Sequence, residues 1–270
     1  MKVLGEDIAR DLEEIRRKRP LIHHIMNYVV MNDAANVALA IGASPIMAHA
    51  IEEVEELAAI ADVIYINIGT LDNHWIPSMI ILAKAATKNN KPLVLDPVGA
   101  GATKLRTETA IKILREAEVT VLKGNGGEIA ALAGSQGLVK GVDSLGKATV
   151  EIVEKVASEF STTVFASGEV DIISDGSRYA EISGGSYLSK YVTGMGCMLG
   201  TIVSAFTAVN TDPLRSSIHA SVFFKRAAEL ASRKASVPGS FKVELINAIY
   251  SIGREHLGDV EVPVIQVRKS

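Results

Sequence analysis

The sequence has few of the features that mark secreted or membrane proteins. Its 270 residues include one cysteine, Cys197, so no disulfide can form within the chain. This is typical of proteins that fold in a reducing compartment. No apolar run reaches the roughly 20 residues of a membrane span, and residues 1–7 are too acidic for a secretory signal. We therefore expect a cytoplasmic protein that has no membrane partner.

Positive charge is not in excess. Lysine and arginine total 28 against 31 acidic residues, and the net charge is -3. The basic cluster at residues 16–19 ends a helical pattern, where cations interact favourably with the helix dipole. We therefore expect no nucleic-acid partner.

Aromatic residues are also scarce, at 5%, whereas hydrophobic residues make up 48%. Alanine, isoleucine and valine must therefore fill a large core. The length fits one large domain better than two small ones. No linker, repeat or low-complexity segment divides the chain, so we expect a single domain over residues 1–270.

Short apolar segments alternate with helical patterns of about ten residues or more, which predicts an α/β fold with a mainly parallel sheet between helices. The apolar or strand-like segments are residues 21–25, 46–48, 62–69, 92–97, 118–122 and 162–167, with a hairpin at 170–173 and 178–182. The helical patterns are residues 6–18, 33–41, 52–60, 75–89, 107–116, 128–133 and 144–160, and the last third is mostly helical. Because the strands are continuously apolar, we expect both faces of the sheet to be buried.

Polar residues and glycines follow several of these strands. They are Gly69 and Asp72, Asp96 and Gly99, Lys123 and Asn125, and Ser167 and Gly168. Ligands of parallel α/β sheets bind beyond the C-terminal ends of the strands. The sequence therefore predicts a ligand site at this edge of the sheet.

Each candidate in this set has a functional and a structural interpretation. Asp96 can hold Mg²⁺ near phosphates or can cap the next turn. Asn125 and Glu128 share a face of a helix start, where they can organise hydrated Mg²⁺, although their spacing alone favours a helix cap. Lys123 is either a phosphate contact or a solvated lysine. Ser167 can contact a nucleotide phosphate or belong to a plain turn.

Residues 193–197, Thr-Gly-Met-Gly-Cys, precede an apolar helical pattern. A helix start exposes unpaired N–H groups, and Gly194 and Gly196 allow the backbone to approach an anion closely. A thiol at this place, that of Cys197, is expected to have a lowered pKa. An anion site with a potential base beside it predicts phosphoryl transfer to a hydroxyl.

Other motifs are weaker. Residues 141–148 resemble a phosphate-binding loop, but Ala148 replaces the required hydroxyl, so we expect a loop in which Ser144 caps a helix. The Gly-x-Gly of residues 194–196 lacks the preceding strand of a dinucleotide-binding fingerprint. His23 and His24 would face opposite sides of a strand, which argues against a zinc site.

At this point the sequence resembles the hydroxyethylthiazole kinase family. The resemblance covers residues 20–209 and rests on five motifs: 24–36 (HIMNYVVMNDAAN), 42–48 (GASPIMA), 67–71 (NIGTL), 95–101 (LDPVGAG) and 194–197 (GMGC). It implies a three-layer ribokinase-like α/β fold, and a homotrimer with active sites between subunits. The implied reaction transfers the γ-phosphoryl group of ATP to the primary hydroxyl of 4-methyl-5-(2-hydroxyethyl)thiazole, in thiamine salvage.

The resemblance also implies roles for individual residues. The thiazole contacts are Met47, Gly194 and Asn27, and the ATP contacts are Lys123, Ser167 and Gly196. Asp96, Asn125 and Glu128 would hold Mg²⁺ through water, and Cys197 occupies the position of the catalytic base.

Two alternative functions stay open. One is another ribokinase-like small-alcohol kinase, such as a hydroxymethylpyrimidine kinase, although the two N-terminal motifs argue against it. The other is a non-catalytic ligand-binding protein on the same fold. Measurements of ATP turnover and of phosphorylation across a panel of alcohols distinguish the thiazole kinase from these two alternatives.

Overall fold

The computed structural model describes residues 2–137 and 148–267. The strands are β1 (Lys2–Leu4), β2 (Leu21–Ile25), β3 (Ser44–Met47), β4 (Val63–Asn67), β5 (Leu93–Asp96), β6 (Val121–Asn125), β7 (Thr163–Ser167), β8 (Val170–Ser174), β9 (Arg178–Ser183), β10 (Glu261–Pro263) and β11 (Ile265–Gln266). The helices are α1 (Gly5–Lys18), α2 (Met31–Ile41), α3 (Val54–Ile60), α4 (Trp75–Lys88), α5 (Lys104–Glu116), α6 (Gly126–Ser135), α7 (Val150–Phe160), α8 (Met195–Thr207), α9 (Pro213–Lys234) and α10 (Pro238–Ser251).

The main sheet has nine strands in the described ranges, in the order β11-β9-β8-β7-β6-β5-β4-β2-β3. The strands from β3 to β7 are parallel, whereas β8, β9 and β11 add an antiparallel edge. A separate two-stranded sheet pairs β1 with β10. The predicted mainly parallel α/β fold is therefore confirmed.

Helices cover both faces of the main sheet. On one face lie α1, α2, α8, α9 and α10, whose core includes Ile8, Ile41, Phe206, Phe223 and Phe241. On the other lie α3 to α7, with Ala58, Leu82, Ile113, Leu132 and Val153. Every side chain of β4 is buried. Burial on both faces explains why the central strands are continuously apolar. Among the described residues, no helix is both long and apolar enough to cross a membrane.

The structure differs from the sequence-based elements mainly at their ends. Strand β6 continues to Asn125, beyond the predicted residue 122, because Lys123 to Asn125 stay in register with β7. Helix α7 begins at Val150 and is capped by the Thr149 side chain. The predicted Ser144 cap, and all but the last residue of its loop, lie outside the described residues. The short strands β10 and β11 occupy a region that we predicted to be mostly helical.

Helix α8 lies unusually close to β4 at Gly200. A Cβ atom at this position would lie 2.1 Å from the Tyr65 hydroxyl oxygen. Gly200→Ala should therefore lower the free energy of unfolding by about 1–3 kcal/mol through overpacking, although alanine alone favours a helix. Denaturant unfolding measures the effect. Gly239→Ala in α10 is the matched control, because its Cβ would meet nothing within 4 Å. Equal stability of the two variants would contradict the prediction.

Candidate active site

The candidate site lies at the C-terminal edge of the parallel strands. Asn67 ends β4 and Asp96 ends β5, and the two residues are paired in register. Lys123 lies near the end of β6, the next strand in the sheet. Helix α8 begins beside them, and Cys197 is in its first turn. The strand ends and the helix start meet here because their loops all leave the sheet at this edge.

Asp96 is 1% exposed and accepts hydrogen bonds from two buried groups. Lys123 Nζ lies 3.2 Å from its Oδ2 atom, and the Tyr65 hydroxyl lies 2.9 Å from the same oxygen. The Tyr65 hydroxyl is also 3.1 Å from the carbonyl oxygen of Cys197. Burial, together with the negative charge of Asp96, raises the pKa of Tyr65 well above its ordinary value. Tyr65 therefore stays protonated and holds the helix start beside Asp96.

The Cys197 thiol is held by two amide side chains. Asn67 Nδ2 lies 3.2 Å and Asn27 Nδ2 3.4 Å from its sulfur. Burial raises the pKa of Cys197, and Asp96 adds to this, against the opposite effect of Lys123 and the two amides. The lowered pKa predicted from the helix start is therefore wrong. Cys197 is 8% exposed, and desolvation of its thiol disfavours the thiolate.

This direction of the pKa shift has a simple chemical test. Because Cys197 is the only cysteine, an alkylating reagent modifies one thiol in the native protein. The thiolate is the nucleophile, so the pH at which the labelling rate of the native protein with iodoacetamide reaches half its maximum should lie above that of the denatured protein. Labelling that is already independent of pH at neutrality would contradict the raised pKa. A denatured sample gives the reference rate of a free thiol.

Lys123 is not a solvated lysine, since it is 2% exposed. Burial acts to lower its pKa, but the negative charge of Asp96, followed by Cys197 and Glu128, outweighs burial and raises the pKa. A Cβ atom on Gly196 would lie 3.1 Å from Lys123 Nζ. The ammonium group therefore adjoins the backbone at the start of α8, where the predicted anion site lies.

Asn125 and Glu128 form a helix cap, as their spacing predicts. Asn125 Oδ1 accepts from the backbone N–H of Glu128 at 2.9 Å, and Glu128 Oε2 accepts from that of Asn125 at 2.7 Å. Glu128 Oε1 also accepts from Gly99 N–H at 2.8 Å, which links the two loops. Burial, and then the charge of Asp96, raises the pKa of Glu128. The cap therefore fixes both side chains at the start of α6.

The donor set fits a hydrated magnesium ion better than a closed metal cage. No group of three or more His, Cys, Asp or Glu within residues 2–137 and 148–267 is arranged to hold a metal. Mg²⁺ usually keeps several waters and takes only one or two carboxylates plus phosphate oxygens. Asp96 offers its Oδ1 atom, which accepts no hydrogen bond from the described residues, and Glu128 is close enough to Asp96 for their charges to interact.

A cavity of about 780 Å³ adjoins the start of α8. Ser167, Gly168, Gly196 and Leu199 are among its lining residues, and Asn125 borders it. The Ser167 hydroxyl donates to the carbonyl oxygen of Gly124 at 3.1 Å. Two of the predicted ATP contacts, Ser167 and Gly196, thus share one cavity, whose volume is in the usual range for small-molecule sites.

The predicted thiazole contacts come from three different parts of the fold. Asn27 belongs to the Cys197 network, with its Nδ2 atom 2.8 Å from Asn67 Oδ1. Gly194 has φ of 81°, and a Cβ there would lie 2.6 Å from Val30, so only glycine fits this turn. Met47 ends the edge strand β3 and is paired in register with His24 of β2.

Tyr65 and Asn67 were not among the predicted site residues. Asn67 donates to Tyr65 and Cys197, and accepts from Asn27 and from the backbone of Gly69. Its amide is therefore saturated. The sequence pattern that could have identified them is a pair of polar residues at alternate positions of an apolar strand. This spacing places both side chains on one face of the sheet.

Comparison with known structures gives the fold class of the protein. A ribokinase-like superfamily protein from Enterococcus faecalis matches with a TM-score of 0.64 at 12% identity, over 91% of this chain and 95% of that one. The chain therefore has the ribokinase-like fold. Residues 12–255 match the hydroxyethylthiazole kinase family, and the chain belongs to it. It is accordingly a kinase.

Two relatives are similar over nearly the whole chain. The hydroxyethylthiazole kinase of Caldivirga maquilingensis is 52% identical over 97% of this chain and 99% of its own length. The structure of a hydroxyethylthiazole kinase protein from Pyrococcus horikoshii matches with a TM-score of 0.89 and 44% identity, over 97% of this chain and 100% of that one. The family resemblance seen in the sequence is confirmed.

Proposed function

We propose that the protein transfers the γ-phosphoryl group of ATP to the primary hydroxyl of 4-methyl-5-(2-hydroxyethyl)thiazole, a step of thiamine salvage. One observation carries the proposal. Asp96, Lys123 and Cys197 meet at the start of α8, next to the cavity that Ser167 and Gly196 line. An anion site, a buried cation and a candidate base are thus adjacent.

The start of α8 and Lys123 stabilise the charge of the transferred group. Backbone N–H groups of the first helical turn have no intrahelical acceptor and point toward an anion. Phosphoryl transfer has a loose transition state with charge spread over the equatorial oxygens, so fixed positive groups contribute most of the rate. The Lys123 ammonium, beside Gly196, is such a group.

Asp96 and Glu128, with Asn125 in the same cap, would hold hydrated Mg²⁺. When bound, such an ion neutralises phosphate charge. Asp96 is positioned for this by Tyr65 and Lys123, which both contact Oδ2, while Oδ1 accepts no hydrogen bond from the described residues.

Cys197 orients the substrate hydroxyl and accepts its proton late. In a loose transition state the bond to the nucleophile is little formed, so the hydroxyl needs little activation before attack. Because the pKa of Cys197 is raised, turnover should increase with pH above neutrality, as more of the thiol ionises. Cys197→Ala should lower kcat and remove this increase. Unchanged turnover in the variant, with intact binding, would exclude the base role.

The direct test of the function is product analysis. The protein is incubated with Mg²⁺, ATP and the thiazole alcohol, and the phosphate ester is identified by its mass. Omitting Mg²⁺ should abolish the product. Phosphorylation of hydroxymethylpyrimidine but not of the thiazole would assign a different small-alcohol kinase, and no ATP turnover would favour a non-catalytic binding protein.

We also propose the homotrimer, with residues 1–270 of each subunit forming one kinase domain. The support is an exposed apolar surface next to Asn27, where Tyr28 is 63% and Val29 57% exposed. The Tyr28 and Trp75 rings lie 4.4 Å apart on this surface. Apolar patches of this kind mark interaction sites. Light scattering should give a particle of three chains, and Tyr28→Glu should dissociate it.

A further inference from the structure

Helix α9 carries a polar stripe that the function above does not use. Ser221, Lys225 and Glu229 are four residues apart and therefore share one face of the helix. Lys225 is only 9% exposed. Lysine is seldom buried without a charged partner, so its position calls for a physical reason.

The first two residues of the stripe hold the turn between β7 and β8 through Asp171. The Ser221 hydroxyl donates to Asp171 Oδ2 at 2.6 Å, and Lys225 Nζ lies 3.4 Å from Oδ1. Asp171 Oδ1 in turn accepts from the backbone N–H of Gly168 at 2.9 Å. Lys225 Nζ also donates to the carbonyl oxygens of Gly168 and Glu169, at 3.3 and 3.2 Å.

The third residue holds the segment that follows β9. Glu229 Oε1 accepts from the backbone N–H of Gly185 at 3.1 Å. A Cβ atom on Gly184 would lie 2.7 Å from the same oxygen, so the carboxylate fits closely against a glycine pair. Both glycines have positive φ, 119° and 92°, which other residues rarely adopt.

These two segments line the same cavity. Gly168 and Glu169 come from the first, and Gly184 and Gly185 from the second. Lys225 and Asp171 also line the cavity, but the donors of Lys225 are committed to Asp171 and two carbonyl oxygens, so its ammonium group acts by holding the cavity wall. The stripe thus fixes two parts of the cavity wall onto one helix, at a distance in sequence from the phosphoryl-transfer residues.

We propose that Ser221, Lys225 and Glu229, together with Asp171, are positioning residues for the nucleotide. They set the shape of the cavity that receives ATP and take no part in the chemical step. This inference rests on the proposed function, because it assigns the cavity to ATP. It predicts that variants of these residues change the KM for ATP and leave the KM for the thiazole nearly unchanged.

Lys225→Met should raise the KM for ATP about tenfold, because a buried charged hydrogen-bond donor is lost and the β7–β8 turn is released. The KM for the thiazole and kcat at saturating ATP should change less than about twofold, since Asp96, Lys123 and Cys197 are untouched. Lys242→Met is the matched control. It removes the 2.8 Å ion pair between Lys242 and Asp33, which joins α10 to α2 away from the cavity, and should leave both KM values unchanged.

Glu229 provides a second test at a more exposed position. Glu229→Gln keeps an oxygen that accepts from Gly185 and should bind ATP almost normally, whereas Glu229→Ala should raise the KM for ATP several-fold. Direct ATP binding by calorimetry is measured in parallel with turnover. Equal changes in the KM for ATP and the KM for the thiazole, or no change in either, would overturn the positioning role. Wild-type protein that binds ATP but phosphorylates no thiazole would defeat only the proposed function, and failure to bind ATP would defeat both.

Discussion

Asp96→Asn should lower kcat about 10³-fold, the scale expected when a preorganised charge is removed from a phosphoryl-transfer site. The substitution keeps the shape of the side chain and an oxygen that accepts from Tyr65 and Lys123. It removes the negative charge that would hold a cation beside the phosphates. The loss should therefore fall on kcat, while the KM for the thiazole stays within a few-fold of wild type.

The control for this variant is Asp62→Asn. Asp62 lies just before β4, at the opposite end of the sheet, and accepts from the backbone N–H of Leu21 at 2.7 Å. An asparagine oxygen can make the same hydrogen bond, so kcat should not change. Steady-state kinetics with both variants separates a local charge effect from general damage. If Asp96→Asn kept more than about a tenth of wild-type kcat, the assignment of Asp96 would be wrong.

The place where the candidate residues meet was predictable because it depends on topology. The C-terminal ends of parallel strands meet at one edge, so Asp96, Lys123 and Ser167 could be grouped from the order of strands and polar residues alone. The helix start at Gly194 to Cys197 was visible in its glycines. The cap formed by Asn125 and Glu128 followed from their spacing.

The ionisation of the site residues could not be predicted from the order of strands and polar residues. The pKa of Cys197 depends on burial, on Asp96, and on Asn27, which lies 170 positions away in the sequence. The helix start, a local feature, suggested a shift in the opposite direction. The Tyr65 contacts were also hidden, since its hydroxyl touches β5 and α8, two distant parts of the chain. Tertiary partners decide both properties.

The C-terminal strands show the same limit. The strands β10 and β11 comprise three and two residues and pair with β1 and β9, elements far from them in sequence. Periodicity is not informative over so few residues. Such strands form because a strand distant in sequence has an unpaired edge. The local sequence pattern cannot indicate that this edge is available.

Lys123→Met should lower the free energy of unfolding by about 3–5 kcal/mol, the cost of leaving one member of a buried ion pair without its partner. Asp96 would keep its contact with Tyr65 but would lose the buried positive charge that compensates its own. Denaturant unfolding of the nucleotide-free protein, near neutral pH, measures the change. The raised pKa of Lys123 means that its ammonium group stays charged under these conditions, and its contribution to stability is lost only at high pH.

The double variant Asp96→Asn/Lys123→Met measures the interaction between the two charges apart from the contacts that each makes with the rest of the protein. With both charges removed, it should be more stable than Lys123→Met alone, and the coupling energy of the cycle should be about 1–3 kcal/mol. Additive effects would mean that the two groups do not interact in solution. A measured coupling would show that the ammonium group next to Gly196 is held by Asp96 before any nucleotide arrives, so the charge that meets the phosphates is already in place.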